Sequence, residues 1–162
     1  MIEELLDSLV FQAGPRLWTS TLGLVLFGRS WTVQLSVEGQ RGAPPTPPSA
    51  QQRATLTEFL RAQRPVGEAV ERQVFEYYRT VSSEYRRAYD SATAERLVPS
   101  ISAPSEMSRL VTPTEVYVPA SPEGRPHLLL ILFNCSWDDS HGIGAKVVDM
   151  DVKEVAEQQA LL

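Results

Sequence analysis

Asp138, Asp139 and His141 fall within four residues of one another, and Cys135 stands six residues before the histidine. Carboxylate and imidazole groups at this spacing are the ligand types of a divalent metal site or the members of a hydrolytic centre. A thiol beside them raises the question of a nucleophile. A strand turns successive side chains to opposite faces, so Asp138 and Asp139 diverge unless the backbone kinks. His127, the second of the two histidines, lies at the far end of the same strand. The residue types suit turn geometry better than chemistry. Asp carboxylates accept turn N–H groups, Gly142 and Gly144 supply a positive φ or a bulge, His141 can pin the loop by donating to a backbone carbonyl, and Trp137 anchors the strand end. Cys135 falls in the inward phase of its strand and reads as a packing thiol. No catalytic residue, metal ligand or cofactor is therefore assigned.

Tyr77, Tyr78, Tyr85 and Tyr89 form a second set, with Arg86 and Arg87 between them. Tyrosines on a helix pack against a sheet with their hydroxyls at the rim, or anchor an interface. Glu84 and Asp90 stand close to the arginine pair, which reads as a solvated face. The candidate binding residues are Trp137, Asp138, Asp139, His141, Tyr77, Tyr85 and Arg86. No Gly-x-Ser-x-Gly elbow, phosphate loop or dinucleotide fingerprint occurs.

The elements that must position these groups form one domain over 1–162, as a chain of 162 residues permits. Ile2, Leu5, Leu6, Leu9 and Val10 have helical spacing up to Gly14-Pro15, although a strand ending at Phe11 fits nearly as well. Arg16 to Glu38 reads as a meander of two or three strands, turning at Gly28-Arg29-Ser30, with Trp31, Val33, Leu35 and Val37 on one face. Gly39 to Pro48 is a Gly/Pro loop. Ser49 opens a helix with Gln52 as its capping-box partner, and Pro65 ends it. A second helix covers Val66 to Tyr89, and Val98 to Pro113 is loop with a helical turn near Ser105 to Leu110. Thr114 to Val118 alternates as a strand. Leu128 to Phe133 is apolar throughout and belongs mid-sheet. A final strand runs from Gly144 to Val152, and the tail is a short helix or extended. The expectation is an α+β fold: a mainly antiparallel sheet of about five to six strands packed against a helix pair.

With the chain in this order, the hairpin Cys135-Ser-Trp-Asp-Asp-Ser-His-Gly-Ile-Gly144 resembles the Trp-Asp-x-Glu-His-Gly-x-Gly signature of a bacterial family of small domains of unknown function. The Phe27-Gly28-Arg29 turn, the Tyr77-Tyr78 pair and the Val111 to Val118 stretch resemble that family too, so the likeness covers most of the chain. Ser140 departs from it, standing where the family carries Glu. Relatives sit near toxin–immunity loci, and the resemblance therefore implies an immunity-like protein that binds a cognate bacterial toxin.

Net charge is −5, which argues against a nucleic-acid surface. One cysteine excludes an internal disulfide and fits a reducing compartment. The acidic N-terminus does not read as a signal peptide, and no apolar run is long enough for a bilayer. The expected protein is cytoplasmic, with a protein partner, no membrane and no nucleic acid. Its expected function is non-enzymatic toxin binding. The alternatives are a metal-dependent hydrolase centred on Asp138, Asp139 and His141, and a structural scaffold.

Overall fold

The greasy segment becomes β5 (Leu128–Cys135), the fifth strand of a sheet whose seven strands lie side by side in sequence order. The computed structural model describes residues 2–39 and 45–162; the middle of the Gly/Pro loop, residues 40–44, lies outside them. The other strands are β1 (Val10–Gln12), β2 (Leu17–Leu26), β3 (Arg29–Glu38), β4 (Val111–Val118), β6 (Asp138–Val148) and β7 (Asp151–Glu157). The α+β class is as expected, but there are more strands than the five to six read from sequence, and the sheet is mixed. β3 and β4 pair in parallel, while every other neighbouring pair is antiparallel. A parallel pair needs a long crossover, and here all the larger helices supply it: α2 (Ala50–Arg61), α3 (Gln63–Arg87), α4 (Ser91–Leu97) and a 3-10 turn at Pro104–Arg109.

Two strands escaped the sequence reading for local reasons. The N-terminal segment divides into a helix, α1 (Ile2–Asp7), and the three-residue β1, so both patterns seen there are real. The expected Gly144 to Val152 strand is two strands joined at Asp149 and Met150, both with positive φ. Those angles make a tight reversal that neither residue type announces. The β2–β3 turn also sits one residue earlier than expected, with Phe27 and Gly28 carrying the positive φ values.

The crossover helices follow their caps. Ser49 accepts from the Gln52 N–H and the Gln52 side chain accepts from the Ser49 N–H, completing the capping box. Pro65 does not end α2. It sits in the first turn of α3, where its missing N–H has no intrahelical acceptor to lose. Leu35, Val37, Val116, Ile131, Phe133, Ala145 and Val147 line the inner face of the sheet against Val66, Val70 and Val74 of α3 and Leu56 and Phe59 of α2, all buried.

The outer face carries Gln34, Ser36, Glu115 and Tyr117 on β3 and β4, and Leu130, Leu132 and Lys146 on β5 and β6. The chain reverses after β7 into α5 (Gln158–Leu161), which lies over part of this face. Its Gln158 amide donates to the carbonyls of Phe133 and Ile143 at 3.1 and 3.3 Å.

Candidate functional site

The β5–β6 hairpin turns on only two residues, Ser136 and Trp137, with Cys135 paired to Asp138. The sequence suggested a longer turn across 138–143; the chain instead re-enters the sheet at Asp138. Ser136 explains part of this tightness. Its N–H donates to Leu110 O at 2.8 Å and its hydroxyl to Leu97 O at 2.7 Å, which ties the turn to the end of the crossover. Trp137 is 1% exposed and packs at 4.9 Å between centroids against Tyr78. Its backbone carbonyl accepts from the Tyr89 hydroxyl at 2.9 Å. Trp137 is thus an anchor of the core, not a surface for a partner.

Asp138 is the hub of the site. Its Oδ1 accepts from the His141 N–H at 3.3 Å and its two oxygens lie 3.0 Å from His141 Nδ1. Oδ2 also accepts from the Tyr85 hydroxyl at 3.2 Å. The same hydroxyl is 3.4 Å from Glu157 Oε1 on β7. Three elements (β6, the C-terminal half of α3, and the end of β7) meet on these few polar groups. His141 therefore pins its strand through a carboxylate and not through the backbone carbonyl expected from sequence. Its side chain is 46% exposed, against 15% for Asp138. With Nδ1 directed at Asp138, Nε2 is the ring nitrogen left to solvent.

Asp138 and Asp139 differ in exposure as strand alternation requires: the Asp138 side chain is 15% exposed, while Asp139 is exposed, its carboxylate 3.5 Å from Ser140 Oγ. Among the described residues, no three His, Cys, Asp or Glu side chains converge as a metal set. The Cys135 thiol donates to Asp138 O at 3.3 Å, and burial pushes its pKa up to about 12. It packs and does not attack. Arg86 is also spoken for. It meets Glu95 at 2.6 Å and donates to Val98 O and Ser100 Oγ, fastening α4 to α3.

Beside the Tyr85 link lies a groove of about 400 Å³ lined by Tyr77, Val81, Glu84, Tyr85, Ala88 and Glu157. Tyr77, Val81, Glu84 and Tyr85 are one stripe of α3 at helical spacing, Ala88 caps its end, and Glu157 faces them from β7. Burial, then the Glu157 and Cys135 charges and that of Asp138, raise the pKa of the Tyr77 phenol. Burial, followed by Asp138 and then Glu157, does the same to Tyr85. The stripe was visible in the sequence at Tyr77, Val81 and Tyr85. Glu84 shares it and Ala88 ends it, but both read as ordinary solvent positions, and Glu157 arrives only through tertiary folding.

A single mixed sheet, helices layered on its inner face, and a polar clamp opening beside a groove define an α+β domain with a surface site. The chain belongs to the family described as a domain of unknown function (DUF6985), whose model matches residues 6–162. No curated protein and no solved structure matches the chain. Among the described residues, no helix is long and apolar enough to cross a membrane.

Proposed function

We propose that this chain is a non-enzymatic protein-binding module of the cytoplasm, immunity-like in action, that neutralises a cognate bacterial toxin by covering part of its surface. The observation that carries this reading is the groove between α3 and β7. It is partly apolar, carries the exposed Glu84 and the half-buried Glu157 carboxylates, and is walled by Tyr85, whose hydroxyl lies within hydrogen-bond distance of Asp138 and Glu157. Aromatic anchors beside a charged rim are how protein interfaces gain both affinity and orientation. The resemblance to domains found near toxin–immunity loci points the same way. The hydrolase reading draws less support, because no three His, Cys, Asp or Glu side chains converge among the described residues and burial raises the pKa of the Cys135 thiol.

Co-expression with the product of the adjoining gene tests the proposal. A stable 1:1 complex, with relief of that product's toxicity, is the expected result. Separate elution of the two proteins and undiminished toxicity would contradict it.

A further inference from the structure

The groove is specific about charge. Its walls hold two tyrosines, a valine and an alanine, and its ionisable members besides the phenols are Glu84 and Glu157. Among the described lining residues none is Lys, Arg or His. Three cations of the adjoining elements are committed elsewhere: Arg79 to Glu76 at 3.4 Å, Arg86 to Glu95 at 2.6 Å, and Lys153 to Asp151 at 3.7 Å. His141 faces Asp138. The neighbouring phenol of Tyr78 offers a contrast, since burial raises its pKa while the charge of Arg86 opposes the rise. No cation stands among the influences on Tyr77 or Tyr85. The groove is thus an aromatic slot with two carboxylates and no cation in its lining; Arg87, exposed beside Ala88, is the cation next to it in sequence and forms no part of its walls.

Resting on the protein-binding reading above, we infer that this groove receives an arginine side chain from the partner, its guanidinium between the Tyr77 and Tyr85 rings and the Glu84 and Glu157 carboxylates. A guanidinium is planar, always charged and weakly hydrated, so it stacks on a phenol ring while its N–H groups reach carboxylates on two sides. An ammonium is a compact, strongly hydrated point charge and uses the aromatic faces less well. The single proton of the Tyr85 hydroxyl is already shared between Asp138 at 3.2 Å and Glu157 at 3.4 Å. One wall is therefore fixed before the ligand enters, which lowers the ordering cost of binding.

N-acetyl-arginine amide is a suitable probe, with the N-acetyl-citrulline and N-acetyl-lysine amides as controls. Titration is followed by the ring resonances of Tyr77 and Tyr85 in the full chain. The arginine probe is expected to give saturable shifts confined to these rings and Val81, at a Kd on the order of millimolar for a single side chain. The lysine probe should bind more weakly, and citrulline, which keeps the shape and loses the charge, should give no saturable shift. Glu157→Gln should weaken arginine binding at least about fivefold. Equal shifts from citrulline, or none from arginine, overturn the inference.

The wider reading fails by a separate route. Glu84→Arg with Ala88→Arg puts cations at exposed positions on the lip of the groove, and should lower affinity for the adjoining gene's product at least about tenfold. A complex unaffected by that pair overturns the protein-binding reading at this face, whatever the probe does. A complex broken by it with no arginine binding overturns the inference alone.

Discussion

Cys135 and Gly142 show how single residues of the hairpin earn their places by geometry. Burial holds the thiol protonated, with a pKa near 12. Iodoacetamide at pH 8 should therefore label Cys135 in the folded protein no faster than the chain unfolds, and rapidly in denaturant; mass spectrometry gives both rates. The linkage has a definite sign. Folding raises this pKa, so the thiol's contribution to stability is complete below the unfolded thiol's range and is lost as pH rises from there through the folded value of about 12. Gly142 has φ +65°, and a Cβ there would meet Gln158 Nε2 at 2.6 Å and Phe133 O at 2.7 Å. A Cβ on Gly144 would meet Leu161 at 2.8 Å. The glycines of the His-Gly-x-Gly segment thus seat the C-terminal helix as well as shape the strand. Gly142→Ala should lower unfolding free energy by about 1–3 kcal/mol in urea titrations. A substitution that cost nothing would show that α5 does not rest there.

At the scale of elements, Tyr85 joins α3 to β6 and β7, and removing its hydroxyl isolates that link. Tyr85→Phe should cost about 1 kcal/mol and raise amide exchange at 138–141 while leaving the α2 capping box protected. Uniform exchange across the chain would show that the tie carries no local role. This scale also explains what the sequence revealed. The capped helix α2, the long helix α3, the alternating β3 and the buried β5 were legible because periodicity and caps are local signals. The site was legible in part. Asp138 and His141 announced themselves by type, and Tyr85 by its helical stripe, but their meeting depends on how α3 crosses the sheet, which no local pattern encodes. Trp137, which the sequence also placed as an anchor of the strand end, and Arg86 stood among the candidate contacts for their residue type alone. Each is a residue type common at interfaces, and in the fold Trp137 fills the core while Arg86 fastens α4.

For the whole molecule, the sheet order is the economical solution to a chain with one long helical insertion. All seven strands pair with their sequence neighbours, and the one long crossover lies between β3 and β4. That crossover lays α3 along the inner face until its C-terminal half reaches the hairpin and β7. The same placement brings Tyr77, Val81 and Tyr85 opposite Glu157 and leaves the groove facing solvent. Fold and candidate function are therefore coupled: the helix that buries the core with its first half presents the site with its second. The most direct measurement is hydrogen exchange on the complex formed with the adjoining gene's product. New protection is expected at residues 77–88, over the end of α3 and its C-cap, and at 155–157 of β7. Protection confined to other surfaces, with exchange at these positions unchanged, would contradict it.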